Sequence, residues 1–207
     1  MLSIVTKPAV DFTLNRRLFW TFSLALFTFV FAFSLLNPAA AQTGAEKAAS
    51  RQVDALLKSA HRSSGSLGGL RSVVSRHFAI GTWANATLGK AGKTITSGQR
   101  SQVRKLLPGY IAKQYFKQFR GRGSKPGSVV KARTVRRDVL VTSKILSRSR
   151  TFTVVWRMRV IGGKYRVIDY STGGVSNVVL RRSEFGGKIK KSGGAGLVKF
   201  LKDFIAS

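Results

Sequence analysis

The 207-residue chain has no cysteine, two histidines and seven acidic residues. Without cysteine there are no disulfides, thiolate nucleophiles or cysteine metal sites. With so few carboxylates and imidazoles, most acid–base pairs and metal ligand sets are weakened as readings too. His61 and His77 sit in helical patterns with no second ligand at metal spacing, so both read as surface or core-edge residues. No Gly-x-Ser-x-Gly turn occurs, which leaves the many serines without a nucleophile elbow. Gly92-Lys93-Thr94 has the end of a phosphate loop, but Thr87 stands where the first glycine of that motif is required, so an ordinary turn is the better reading. These absences point away from an enzyme, a metal centre and a cofactor.

What the chain has in excess is positive charge, 37 Lys plus Arg for a formal +30. Only three basic and one acidic residue lie in residues 1–41, so residues 42–207 carry about +28. Such a surface is attracted to anionic membranes at about 1 kcal/mol for each basic residue held near the headgroups. A nucleic-acid reading fails on geometry. In Trp156-Arg157-Met158-Arg159, strand alternation puts Trp156 and Met158 on the face opposite Arg157 and Arg159, so stacked bases would be separated from the cations. Asp138 and Asp169 read as structural partners for neighbouring arginines.

Leu18 to Leu36 is a 19-residue run without charge, preceded by Arg16-Arg17 and followed by Pro38 and Ala39-Ala40-Ala41. A basic flank, an apolar stretch and a small-residue exit are the parts of an export signal, with cleavage expected near Ala41. A retained membrane anchor is the alternative, since 19 apolar residues just span a bilayer. The expected organisation is a signal peptide over 1–41 and one domain over 42–207, large enough to bury a sizeable core.

Along that domain the hydrophobic period changes twice. Ala45, Ala49, Val53, Leu56, Leu57 and Ala60 recur at helical spacing, and a second short helical pattern from Leu70 to Phe78 leads to Trp83 and Leu88. Thr96 and Gln99 form a capping-box pair that opens a longer helical region. Pro108 divides that region, with Val103, Leu106, Leu107 and Tyr110 on one arc and Ile111, Tyr115, Phe116 and Phe119 on another. Two helices, or one sharply kinked at Pro108, are expected. From Ser128 the period becomes two. Val139, Val141 and Ile145 face one way along one strand, as do Phe152, Val154, Trp156, Met158 and Val160 along the next. Gly162-Gly163 joins the second strand to a third, Tyr165 to Tyr170; a fourth is expected over Val175 to Leu180, before a closing amphipathic helix from Leu197 to Ile205. Helices, then an antiparallel meander, then a helix make an α+β domain whose sheet has one apolar face to cover.

The ordered set Leu88-Gly89-Lys90, Thr96-x-x-Gln99-Arg100, Val139-x-Val141-Thr142-x-x-Ile145, Tyr165-Arg166-Val167-Ile168-Asp169, Gly174-Val175-Ser176, Arg182-x-Glu184-Phe185 and Gly193 to Leu201 resembles the MlaC family, also called the toluene-tolerance auxiliary component. The resemblance spans about residues 65 to 205. It departs from the family pattern after Lys90, where Ala91-Gly92 replaces the usual tryptophan, and at Pro108. It implies an NTF2-like fold, a curved antiparallel sheet packed against several helices with a lipid pocket between them. It further implies a monomeric periplasmic phospholipid carrier serving outer-membrane lipid asymmetry. Its partners would be an inner-membrane ABC-type lipid transport complex and an outer-membrane lipoprotein complex. One branch of the family is associated with hopanoids, so a hopanoid-like lipid is a second candidate ligand.

On this reading the pocket is formed by the apolar sheet face, Val139, Val141, Val154, Trp156, Met158 and Val167, opposed by Phe78, Leu107, Ile111 and Tyr115. Headgroup contact is expected from the basic loop holding Arg120, Arg122 and Lys125. The competing reading is an exported polyanion-binding protein in which the same apolar residues form a filled core. The physics fits the carrier reading: about 30 acyl methylenes at roughly 0.8 kcal/mol each gain more than about 20 kcal/mol on leaving water. No catalytic step is required.

Overall fold

The computed structural model describes residues 42–119, 126–147 and 150–207. The expected signal peptide and the loop carrying Arg120, Arg122 and Lys125 lie outside these residues. Helix α1, Gly44–Arg62, starts at a capping box: the Thr43 hydroxyl accepts from Glu46 N–H at 3.2 Å and Glu46 accepts from Thr43 N–H at 3.0 Å. The other oxygen of Glu46 takes the backbone N–H of Thr134 at 2.7 Å, tying the start of α1 to the first strand. The apolar face read from the sequence is the buried one, Ala49, Val53, Leu56, Leu57 and Ala60. Ser66 caps α2, Leu67–His77. Helix α3, Ile80–Leu88, and a 3₁₀ turn, Gly89–Thr94, then lead to the Thr96 and Gln99 pair. Both reciprocal bonds of that pair are present, at 3.0 and 3.1 Å, and they open α4, Ser97–Phe119.

Five strands follow in a curved antiparallel sheet whose order is that of the chain: β1 Ser128–Val135, β2 Asp138–Ser147, β3 Arg150–Ile161, β4 Lys164–Thr172 and β5 Val175–Ser176. The register pairs Val141 with Trp156 and Trp156 with Tyr170, which aligns these side chains on the covered face. Two irregularities, at Val130 in β1 and Ile168 in β4, each insert one extra residue, and such bulges bend a strand. Gly162 and Gly163 have φ of 59° and 73°, the left-handed backbone that a two-residue hairpin needs between β3 and β4. A single bridge, with Ala79 N–H donating to Val167 at 2.9 Å, fastens the junction of α2 and α3 to β4. The last helix, α5, Asn177–Ala206, is broken at Ser192 and Gly193.

The structure decides three expectations. First, of the two forms expected around Pro108 it has the single helix, α4, which runs through the proline. The missing N–H and ring clash cost about 3 kcal/mol, but Leu107, Tyr110, Ile111 and Ala112 are essentially excluded from solvent, and their burial outweighs that cost. The apolar arc turns at the proline because the middle of the helix is buried on all sides. Second, Val175 to Leu180 is not a strand. Only Val175–Ser176 pairs with β4, after which the Ser176 hydroxyl accepts from Val179 N–H at 3.1 Å and starts α5. The β-branched residues suggested a strand, but the serine cap decides the outcome. Third, among the described residues Asp169 has no arginine partner; it accepts from Ser176 Oγ and from the N–H groups of Tyr170 and Val178, joining β4 to the start of α5. Asp138 does take arginines, as expected: Arg157 Nε and Arg159 Nε, each at 2.6 Å.

Candidate functional site

The covered face of the sheet and the helices over it do not close completely. Between them is a hollow of about 300 Å³, walled by Leu56 and Ala60 of α1, by Leu70, Val73 and Val74 of α2, and by Ile111, Ala112, Gln114 and Tyr115 of α4. The sheet contributes Ile145, Val154, Trp156, Tyr170, Thr172 and Val175, and the start of α5 contributes Asn177, Leu180 and Arg181. Its volume is about twice that of the engineered apolar cavity of roughly 150 Å³ that stays dry and accepts benzene.

One end of the wall is aromatic. Trp156 and Tyr170 lie with ring centroids 5.7 Å apart, and Phe78 meets Tyr170 edge-on at 6.2 Å. Trp156 Nε1 donates to Ser143 Oγ at 2.8 Å, so the indole's polar atom is satisfied and its ring is left to border the hollow. Ser143 is itself fully buried, on the inward side of β2. Burial pushes the Tyr170 hydroxyl up to about 12, with Asp169 adding to the effect and Arg181 opposing it. Burial raises Tyr115 as well, so both phenols remain neutral donors at neutral pH.

Among the described residues, Arg181 is the single charged side chain in the wall. Its guanidinium donates to Tyr110 Oη at 2.8 Å and to Glu184, and Tyr110 in turn donates to Glu184 at 2.9 Å. Burial opposes its charge most strongly, yet Tyr110 and Glu184 together hold its pKa above the ordinary value. Among the described residues, Arg181 Nε is buried without a hydrogen-bond partner.

Phe78, Ile111, Tyr115, Val154 and Trp156, all expected in the pocket, border the hollow. Leu107, Val139, Val141, Met158 and Val167 do not. They are at most 2% exposed and packed in solid core. Sequence reasoning passed over the contribution of α1 and α2, although the apolar face of α1 was evident. It also passed over Tyr170, which lies on the same strand as Val167. Arg181, Glu184 and Tyr110 carry no shared local signal, since Tyr110 is 71 residues from Arg181.

A family model described as MlaC protein matches residues 46–203, the whole run from the first turn of α1 to the last turn of α5. The chain belongs to the MlaC family. Among solved structures, the phospholipid-binding protein from Ralstonia solanacearum, determined in complex with a phospholipid, is similar with a TM-score of 0.62 and 17% sequence identity. The match covers 79% of this chain and 98% of that one, and at this identity it is a likeness of fold. No curated protein matches the chain. The α+β architecture of a curved antiparallel sheet against helices is thus common to this MlaC-family chain and to the Ralstonia protein.

Proposed function

We propose that this chain is a non-catalytic lipid carrier of the periplasm, exported by the signal in residues 1–41, which encloses lipid acyl chains in the hollow between its sheet and helices. The observation that carries this reading is the hollow itself: an apolar volume of about 300 Å³ walled by aliphatic and aromatic side chains. Its fold is that of a protein determined with phospholipid bound. Each methylene transferred from water gains about 0.8 kcal/mol, so even about a dozen held in the hollow make loss to water rare. A bilayer offers nearly the same gain per methylene, so exchange between membrane and pocket is close to balanced and needs no bond chemistry. Direction then comes from the partners, an inner-membrane ABC-type complex and an outer-membrane lipoprotein complex.

Within the hollow we assign Phe78, Ile111, Tyr115, Val154, Trp156 and Tyr170 to the acyl chains, and Arg181 to an ester or phosphate oxygen at the polar end. Arg120, Arg122 and Lys125 retain their assignment to the headgroup. The test is organic extraction of the purified protein followed by mass spectrometry. Phospholipid, or a hopanoid-like lipid, near one molecule per chain is the expected result. A protein that carries no lipid and takes none up from detergent-solubilised phospholipid would overturn the proposal.

A further inference from the structure

Large apolar side chains left in water are unremarkable when scattered, but a cluster at the opening of a cavity has a use. Among the described residues six large hydrophobic side chains are strongly exposed, and three of them, Val175, Val179 and Leu180, fall within one stretch of six residues. Val175 and Leu180 also line the hollow while being 55% and 46% exposed, so they stand where it opens to solvent. Val179, 59% exposed, lies beside them on the first turn of α5 without lining the hollow. The turn leading into this rim is Gly173-Gly174, at φ of 60° and 79°, a tight hairpin with no side chain to hold a flat surface away. Exposed Arg182 lies two residues beyond Leu180, and residues 42–207 as a whole carry about +28.

From this arrangement we propose that the rim formed by Gly173 to Leu180 is a docking surface for an anionic phospholipid bilayer. The proposal rests on the carrier reading and adds to it a direct approach to the membrane. Long-range attraction brings the basic domain to a negatively charged leaflet. Val175, Val179 and Leu180 then enter the boundary between headgroups and acyl chains, which places the mouth of the hollow against the layer its cargo leaves or joins. Charge alone would hold the domain in any orientation, whereas the apolar rim fixes one. A protein partner on the same rim is the competing occupant. The net charge favours a lipid surface, because about +28 over residues 42–207 complements an anionic leaflet.

The test uses the full mature domain with vesicles of phosphatidylcholine alone and of phosphatidylcholine with about one-third phosphatidylglycerol, read by co-sedimentation, with lipid content measured in parallel by extraction. Wild type is expected to sediment with the anionic vesicles only. Val179→Asp should lower the bound fraction about tenfold, the scale of one large apolar contact, with its co-purified lipid unchanged. Val179→Ser, which keeps the net charge, should lower it in the same direction. Val160→Asp is the control. It makes the same charge change at a side chain 52% exposed, about 20 Å from Val154 along β3, and should bind as wild type. A wild type that sediments with neither vesicle overturns the proposal, as does a Val179→Asp variant that binds normally or a Val160→Asp variant that loses as much. Lipid content separates this outcome from failure of the carrier reading, because a lipid-loaded protein that ignores vesicles sinks the docking surface alone.

Discussion

Replacing Trp156 by aspartate places a carboxylate in the middle of the apolar wall. The indole now borders the hollow, stacks near Tyr170 and bonds Ser143 through Nε1. Removing a large buried aromatic costs about 3–5 kcal/mol in a packed core, and the lower end applies here because one side of the ring already faces empty volume. Against a total stability of about 5–15 kcal/mol the variant still folds, with Tm lowered by about 10 °C. The effect on lipid is larger. A carboxylate in the wall either keeps water around it or takes up a proton, and either way the acyl chain loses contact over roughly four methylenes. At about 0.8 kcal/mol each, that is about 3 kcal/mol, or more than about a hundredfold in affinity. The assay is lipid per protein by extraction and mass spectrometry, with circular dichroism and a thermal melt to establish that the variant is folded. Trp156→Phe serves as the companion variant: it keeps an apolar ring in the wall and should keep the lipid. Its penalty is the orphaned Ser143 hydroxyl, about 1–3 kcal/mol. A folded Trp156→Asp protein with the wild-type lipid content would refute the assignment of this wall to acyl chains.

Three further predictions concern the frame around the hollow. Burial, the largest influence on Asp138, opposes its charge, but hydrogen bonds from Arg159 and Arg157 outweigh it and hold the carboxyl below the usual range. A depressed carboxylate contributes stability above its unfolded pKa of about 3.9, and loses it as pH falls through the lower folded value. The gap in urea stability between wild type and Asp138→Asn should therefore be about 2 kcal/mol at pH 7 and should close in strong acid. A gap that persists there would show the ion pairs to be incidental. In α5, Gly194→Ala would drive a Cβ into Gln99 Oε1 and to 2.9 Å from Ile95 Cβ, displacing the side chain that caps α4. It should cost about 1–3 kcal/mol, seen as a Tm lower by several degrees. Gly187→Ala in the same helix meets nothing within 4 Å and should raise stability by up to about 1 kcal/mol in the same melt.

Much of the frame was legible from local pattern. The buried face of α1, the Thr96 and Gln99 box, the glycine pair between β3 and β4 and the inward row Val154, Trp156, Met158 all depend on residues within a turn or a strand of each other. Where local signals competed, the tertiary surroundings decided. Ser176 starts a helix inside a run of β-branched residues because its hydroxyl and the carboxylate of Asp169, both fixed by β4 and β5, meet the first N–H groups of α5. Pro108 continues a helix because the surroundings of α4 bury it on every side.

The sequence by itself determined the class of the molecule. It is a strongly basic α+β domain with one apolar sheet face, and it carries the motif order of the MlaC family. Only the tertiary structure decided which half of that face is core and which half is wall. Met158 and Val154 alternate identically on β3, yet Met158 is sealed in the core and Val154 borders the hollow. Periodicity reports which way a side chain points. Whether anything fills the space in front of it depends on how far away the opposing helices stand, and that distance is set by contacts such as Ala79 with Val167 and Glu46 with Thr134, which join residues about ninety positions apart.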